Sequence, residues 1–415
     1  MITAAVITIG DEILFGQITD TNSKEISEAL SENGIRTVLK FSVGDEKKAI
    51  IQALSLVQGK TDIVIFTGGL GPTKDDITKK TLADFFGSEL VMHPDALDHL
   101  KAFFARRNRE LDEVNKGQAL LPDNCTYIVN NYGTAPGMWF EEKDQVYISL
   151  PGVPGEMRNL LKEEILPRLI SRFKPPVITH RWVRTIGIGE SILSKQIESW
   201  EDALPAACRL AYLPEAGQVK LRLTVTGTDQ KENEKIAEEQ ISLLNNLITP
   251  YIYAHVNEPV EKTIGHMLTL NGLTAGTAES CTGGAIAAAL TSIAGSSAYF
   301  KGGIVAYSNE LKKKVLQVNQ ATLDSHGAVS EETVKEMAIG ARQLLNVDFA
   351  VSCSGIAGPA GGSLEKPVGT VWIACADKNG VVARKFIFGP DRIMNIRHTV
   401  VATLNLLRQR INGQA

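Results

Sequence analysis

Cysteine is sparse in this chain. The 415 residues hold five (Cys125, Cys208, Cys281, Cys353 and Cys375), dispersed and never in C-x-x-C spacing. Such a set argues against a disulfide framework or a structural zinc site and suits a reducing cytoplasm. Long apolar runs are missing as well: nothing approaches the ~20 residues of a membrane helix, so no membrane partner is expected. The N-terminus, Met1 to Gly10, has no basic leader and reads as a strand rather than a signal peptide. Charge of one sign is not in excess either, and a net charge of −4 gives no global attraction to nucleic acid or lipid headgroups. What remains is ordinary soluble material, 44% apolar and 22% charged, long enough for two or three domains.

Residues 1–173 read as the first domain. Ala4 to Ile9 is a continuous apolar strand that ends in Gly10-Asp11-Glu12. Asn22-Ser23 can cap a helix running to Asn33 and stopping at Gly34. A strand (36–43), a helix (46–57) and a strand (62–66) follow, and the last opens into Thr67-Gly68-Gly69-Leu70-Gly71-Pro72-Thr73-Lys74-Asp75-Asp76. Apolar strands alternating with helices predict an α/β fold with a doubly wound, mostly parallel sheet. Ligands meet such sheets at the carboxyl ends of the strands, where Asp11-Glu12, Asp45-Glu46 and the glycine loop all fall. Gly68, Gly69 and Gly71 let backbone N–H groups come close to phosphate oxygens. Asp75 and Asp76 can hold a hard divalent cation bridging those oxygens, or simply cap the next helix. Glu141 to Asp144 reads as a hairpin turn, and 154–173 as a helix.

The glycine loop resembles the signature of the molybdopterin-binding-like domain of the CinA family. Asn115-x-x-Gln118-Ala119-Leu120-Leu121-Pro122, Asn131-x-Gly133-Thr134-Ala135-Pro136-Gly137 and Leu150-Pro151-Gly152-Val153-Pro154-x-Glu156-Met157 fit the same pattern. Gly117 stands where the family form carries a basic residue. The resemblance implies a divalent-metal-dependent (Mg, Mn or Co) pyrophosphatase that splits ADP-ribose into AMP and ribose 5-phosphate. It also implies substrate contacts from Gly68, Gly69, Gly71, Asn22 and Asn115, and metal contacts from Asp75, Asp76, Asp11 and Glu12.

Lys174-Pro175-Pro176 breaks the helix and marks a linker. Residues 174–254 carry a strand (178–186), a glycine turn Gly187-Ile188-Gly189-Glu190 into a helix, a strand (219–227) and a charged helix (231–247). The segment resembles the small α+β KH-like module of CinA proteins. An RNA-binding KH domain needs a GxxG clamp and a basic face. Between Pro176 and Ala254, 8 Lys+Arg stand against 10 Asp+Glu, which favours a spacer or dimerisation role over a nucleic-acid partner.

Residues 255–415 are organised around Ala278-Glu279-Ser280-Cys281-Thr282-Gly283-Gly284. This stretch follows a strand-like run (273–277) and opens onto 285–290, a strong helix former. A strand, a small-residue turn and a helix start place unpaired N–H groups beside one hydroxyl, which suits an anion or an oxyanion. Ser280 and Cys281 are neighbours with different side-chain directions, so one of them faces the pocket. Three further small-residue loops follow strands: Tyr307 to Lys312, Ser354 to Gly358, and Lys366 to Thr370. The motif is not G-x-S-x-G and no histidine sits in these loops, which argues against a hydrolase elbow or a Ser-His-Asp triad. Lys312 is left as the candidate base, provided that burial or a nearby cation lowers its amine from the usual ~10.4.

This last domain resembles the C-terminal CinA domain, also found alone as the PncC amidohydrolase. The resemblance is carried by Ser280-Cys281-Thr282-Gly283-Gly284, Gly295-Ser296-Ser297, Tyr307-Ser308-Asn309-x-x-Lys312, Gly327-Ala328-Val329-Ser330, Ser354-Gly355-Ile356-Ala357-Gly358-Pro359, Lys366-Pro367-Val368-Gly369-Thr370 and Gly389-x-Asp391-Arg392. It implies an α/β amidohydrolase domain that needs no cofactor and deamidates nicotinamide mononucleotide to nicotinate mononucleotide and ammonia through a Ser280–Lys312 dyad. Substrate contacts then fall on Thr282, Gly283, Gly284, Tyr307, Asn309, Ser354, Gly355, Lys366, Thr370, Arg392 and Arg397, with Arg392 or Arg397 holding the phosphate. A homodimer is expected. Both reactions process fragments of NAD. The alternatives are a non-catalytic interaction protein in DNA uptake or recombination, which a basic stripe would favour, and a molybdopterin-binding protein.

Overall fold

The structure is a computed structural model that describes residues 2–73 and 75–414. The chain divides into two compact units, Met1–Thr179 with Val225–Lys235, and His180–Thr224 with Ile236–Ala415.

In the first unit, strands β1 (Ile2–Ile9), β2 (Ile35–Val43) and β3 (Ile63–Thr67) are followed by a short antiparallel pair, β4 (Leu90–Met92) with β5 (Leu120–Pro122). Strands β6 (Thr126–Ile128), β7 (Gly137–Glu142) and β8 (Gln145–Leu150) complete a six-stranded sheet of order β2-β1-β3-β8-β7-β6. Four strands run parallel, and β7 and β6 add an antiparallel edge. Burial follows the two-residue period of the pleat. Ala5, Ile7, Val64 and Phe66 pack into one core, whereas Ala4, Val6, Ile63 and Ile65 face a second on the other side. Helices cover both faces, so the central strands read as unbroken apolar runs.

Two local expectations are corrected. The helix Thr21–Glu32 is capped by Asp20, whose carboxylate accepts from Ser23 N at 2.9 Å, and not by Asn22 or Ser23, which lie inside it. The stretch 154–173 is helical throughout but carries a π turn at Leu161–Ile165 between α segments Pro154–Leu160 and Leu166–Phe173. Pro167 has no N–H for the carbonyl of Glu163, which accounts for a bulge at this point.

The middle segment forms a four-stranded sheet of order β10-β11-β9-β12, from β9 (Val177–Ile186), β10 (Cys208–Glu215), β11 (Gln218–Gly227) and β12 (Ile252–Ala254). The helix Glu190–Asp202 follows the Gly187–Gly189 turn as expected. The sequence reading lacks β10 and β12. Strand β10 is an edge strand that contains Pro214 and has one buried residue, so it shows no apolar alternation. β12 is three residues long.

The last sheet has order β14-β13-β15-β16-β17, from β13 (Ala275–Glu279), β14 (Phe300–Val305), β15 (Phe349–Gly355), β16 (Thr370–Asp377) and β17 (Gly380–Ile387). The first three are parallel and the last two antiparallel. Helices Val260–Leu270, Ala285–Thr291 and Arg392–Ile411 contribute to the core on one face, and Glu331–Leu345 covers the other. The small residues of β13 permit that close cover: a Cβ on Gly276 would stand 2.5 Å from Leu345 Cδ1. The carboxyl ends of β13, β14 and β15 converge, and Ser280, Lys312 and Ser354 lie there. Among the described residues no helix is long and apolar enough to cross a membrane.

Candidate active site

Ser280 is the first residue beyond β13, the strand between β14 and β15. Its N–H donates to Cys353 O on β15 at 3.1 Å. The chain then turns through Gly283 (φ 62°) and Gly284 (φ 102°), left-handed conformations that favour glycine, into the helix at Ala285. Lys312 comes from the next strand over. Glu279 pairs with Val305 at the end of β14, and Ser308 then caps a short helix, Asn309–Lys314, accepting from Leu311 N. The cap turns Lys312 inward, where it is 1% exposed, and Ser280 beside it is 8% exposed.

The amine of Lys312 meets Ser280 Oγ at 3.0 Å, Ala306 O at 2.8 Å and Tyr307 O at 3.5 Å. No carboxylate pairs with it among the described residues, and burial pushes its pKa below the ordinary lysine value. A neutral amine has two N–H groups and one lone pair. With the two carbonyls taking the protons, the lone pair is left for the serine hydroxyl, the arrangement a general base requires.

Cys281 is a buried free thiol that is hydrogen-bonded to Cys353; that hydrogen bond and burial hold its pKa well above the ordinary thiol range. A neutral, hydrogen-bonded thiol is a poor nucleophile, and Ser280 is the group that meets the base.

The opening of the helix differs from the sequence expectation. Its N–H groups are not free, because the buried carboxylate of Glu279 accepts from Gly284 N (3.0 Å), Ile286 N (3.0 Å), Ala287 N (2.8 Å) and Thr282 Oγ1 (2.6 Å). Gly283 N donates to Ser280 O. The amides of Gly283 and Gly284 are therefore committed within the turn, and the Thr282 hydroxyl is committed to Glu279. Sequence reading gave Glu279 no role; an acid in a run of small, strand-forming residues is the signal that was available.

The other expected contacts sit around this centre in different states. Arg392 donates to Gly358 O at 2.8 Å and to Tyr307 Oη at 3.4 Å, placing a guanidinium beside the exposed Tyr307 ring. Ser354 Oγ donates to Ala328 O, and Lys366 Nζ to His326 O. Gly355 stays in the β15–β16 ladder opposite Val371. Thr370 Oγ1 is buried with no hydrogen-bond partner among the described residues. Asn309 and Arg397 are exposed.

In the first unit the glycine loop has a backbone that glycine alone adopts easily. Gly68 has φ 113°, and a Cβ there would stand 2.1 Å from Ile9 O. Gly69 is left-handed as well (φ 64°), and Gly71 is half-buried. Asn22 is buried and donates to Thr67 Oγ1 (3.0 Å) and Gly152 O (2.8 Å), and its carbonyl oxygen has no partner among the described residues. Asn115 is tied to Asp112. A basic group does reach the Gly117 position: Lys79 Nζ donates to Gly117 O at 3.1 Å and Gln118 O at 3.3 Å, and burial lowers its pKa to about 8.

The expected metal ligands are acidic and close, but they do not form a cage. Asp11 and Asp45 cap each other's backbone N–H groups, and Asp76 accepts from Thr73 N and the Thr73 hydroxyl. Asp75 is exposed. Among the described residues no three His, Cys, Asp or Glu side chains are grouped to hold a metal ion. The side chains as placed therefore do not fit a bound divalent ion. Burial, followed by the charges of Asp11, Glu12 and Asp75, raises the pKa of Asp45, a residue that sequence reading placed in a strand-closing loop without assigning it a site role.

Three family descriptions match consecutive parts of the chain: a "probable molybdopterin binding domain" over residues 5–171, a "damage-inducible protein CinA KH domain" over 180–254, and a "CinA C-terminal domain" over 257–411. A CinA-like protein of Cytophaga hutchinsonii is 49% identical over 408 residues, 98% of each chain. The chain belongs to the CinA family. A CinA-like protein of Flavobacterium psychrophilum is 43% identical over 410 residues, again 98% of each chain. Among solved structures, competence/damage inducible protein CihA from Agrobacterium tumefaciens is 41% identical and covers 38% of this chain and 99% of its own, with a TM-score of 0.36. The CinA fold class is thus as expected: a molybdopterin-binding-type α/β domain, a KH-like middle domain and an α/β CinA C-terminal domain.

Proposed function

We propose that the C-terminal domain is a serine–lysine amidohydrolase that deamidates nicotinamide mononucleotide. The observation that carries this reading is the 3.0 Å contact between Ser280 Oγ and a buried lysine amine that no carboxylate among the described residues pairs with. Ser280 Oγ attacks the carboxamide carbon while Lys312 takes the hydroxyl proton. Collapse of the tetrahedral intermediate breaks the C–N bond, and Lys312 returns the proton to the leaving nitrogen, which departs as ammonia. Water then attacks the acyl-serine, gives a proton to Lys312 and releases the carboxylate, and Ser280 regains its proton. Arg392 is the group suited to the phosphate because its fork matches phosphate oxygens and it stands beside Tyr307. Ammonia release from nicotinamide mononucleotide by the wild-type chain, abolished in a folded Ser280→Ala variant, tests the reading. Undiminished release by that variant would overturn it.

A second reading concerns the first domain, as a hydrolase of the ADP-ribose pyrophosphate. It is supported by the left-handed Gly68 and Gly69 at the carboxyl end of β3 and by the nearby carbonyl oxygen of Asn22, which has no partner among the described residues. These groups would bind phosphate and sugar, and no step is assigned to a metal. Formation of AMP from ADP-ribose, followed with and without added divalent ions, tests it. Absence of AMP under every condition refutes it. The joint reading is a bifunctional enzyme of pyridine-nucleotide salvage.

A further inference from the structure

We propose that Glu279 is a positioning residue of the amidase site, filling the adjacent helix N-terminus itself and thereby reserving the N–H groups of Cys281 and Thr282 for the oxyanion. The inference rests on the amidase reading above.

The amides that follow β13 can be accounted for one by one. Ser280 N donates to Cys353 O, Gly283 N to Ser280 O, and Ala285 N to Thr282 O. Gly284, Ile286 and Ala287 donate to Glu279. Among the described residues Cys281 N and Thr282 N donate to no other residue in this run, Cys281 N facing only its own sulfur, and they are the two residues directly after the nucleophile. In acyl-transfer sites the amide after the nucleophile is a natural oxyanion donor, because the carbonyl carbon sits against the nucleophile's own side chain.

Glu279 is more than a helix cap. An ordinary cap binds amides two or three residues ahead. Here the carboxylate reaches across five to eight positions, spans the whole nucleophile turn and ties its far end to the end of β13. It is 0% exposed, and among the described residues no cation pairs with it. Its desolvation is offset by four hydrogen bonds, two from the turn (Thr282 Oγ1 and Gly284 N) and two from the start of the helix (Ile286 N and Ala287 N), so the carboxylate is satisfied only when the turn is closed.

The same carboxylate orders the protons around it. Obligate N–H donors face both of its oxygens, so it acts as acceptor, and the Thr282 hydroxyl must donate to it. Cys353 Sγ, 3.0 Å from Thr282 Oγ1, then donates to that oxygen, and Cys281 donates to Cys353. The two thiols are thereby held in a hydrogen-bonded chain that runs through Thr282 to Glu279. A further consequence concerns specificity. With its N-terminus already filled by a carboxylate, the helix cannot take the substrate phosphate, which must bind elsewhere, beside Arg392.

The test uses the full chain with Glu279→Gln, whose amide places N–H groups against the backbone donors. The expected result is a kcat lowered about 100-fold or more, as for loss of an oxyanion donor. Affinity for the product nicotinate mononucleotide, which develops no oxyanion, should stay within about threefold of wild type. Thr282→Val removes one bond to the carboxylate and should lower kcat about tenfold, with Thr282→Ser restoring it; the double variant should be no worse than Glu279→Gln alone. A folded Glu279→Gln chain with kcat within about threefold of wild type overturns the proposal, as does a loss that appears only in product affinity. If Glu279→Gln does not fold, Thr282→Val decides, and wild-type kcat in that variant overturns the proposal. A wild-type chain that releases no ammonia and whose Ser280 resists a fluorophosphonate refutes the amidase reading itself, and the role of Glu279 with it.

Discussion

Replacing Lys312 with methionine separates the chemistry of the dyad from its packing. The side chain is 1% exposed, and methionine keeps most of the apolar stem while removing the amine. The bonds to Ser280 Oγ (3.0 Å) and Ala306 O (2.8 Å) disappear. Each contributes about 1 kcal/mol net, and a carbonyl left unpaired costs about 1–2 kcal/mol more. Against this, the wild type buries an amine that no carboxylate among the described residues pairs with, and removing it relieves a desolvation penalty of similar size. The terms offset to within about 2 kcal/mol, and each kcal/mol moves the melting temperature by about 2–4 °C in a unit of this size. Activity should respond very differently. No other side chain among the described residues hydrogen-bonds Ser280 Oγ, so losing the base should cost about 10²- to 10⁴-fold in kcat. The assay is ammonia release from nicotinamide mononucleotide, run beside thermal unfolding by circular dichroism. A folded variant that keeps activity within about tenfold of wild type would refute Lys312 as base. The pH profile carries the same logic. Lysine is a base only when neutral, and its folded pKa lies below the ordinary 10.5. The kcat/KM of the wild type should therefore rise with pH along a limb whose midpoint lies below that value. Between the folded and ordinary values the unfolded chain binds the extra proton, so stability also rises with pH there, and Lys312→Met should remove that contribution.

Three further outcomes follow from other contacts. Cys281→Ala should release ammonia within about twofold of wild type and cost about 1 kcal/mol in stability, since its thiol is neutral and buried; loss of activity in a folded variant would make Cys281 the nucleophile instead. Gly68→Ala should destabilise the first unit by about 2–4 kcal/mol, because φ 113° is unfavourable for alanine and its Cβ would stand 2.1 Å from Ile9 O. An unchanged denaturation midpoint would contradict that geometry. Arg392→Ala should raise KM for nicotinamide mononucleotide about tenfold or more while leaving turnover of nicotinamide riboside, which lacks the phosphate, nearly unaffected. Equal loss on both substrates would assign Arg392 a structural role through Gly358.

Much of the architecture was legible because it is written in short-range pattern. Continuous apolar runs at 4–9 and 62–66 predicted central parallel strands, and β1 and β3 are fully flanked in the sheet. Glycines at 68, 69, 283 and 284 marked turns, and all four have positive φ. Strand β10 was not legible, since an edge strand with a proline and little burial has no period to read. The cap at Asp20 is not distinguishable from Asn22 in sequence because five cap-capable residues stand in a row from Thr19 to Ser23, and only the packing of Asn22 against Thr67 and Gly152 draws it inside. The acidic loops of the first domain do lie at the strand ends, where the carboxylates of Asp11, Asp45 and Asp76 each accept from a nearby backbone N–H, a pairing that depends on which loops pack together.

For the candidate active site, the sequence by itself determined the ingredients: a serine at a strand-to-helix turn, a lysine at the next such junction, and no histidine in the neighbouring loops. Tertiary structure decided the rest. Ser280 and Lys312 are 32 positions apart, and they meet because β13 and β14 lie side by side in register. The same closure removes Lys312 from water, which lowers its pKa, and it sets Glu279 against the helix start that the sequence left open to an anion. Turn geometry depends on a few neighbouring residues, whereas burial and the free or committed state of an N–H depend on which distant segments pack together.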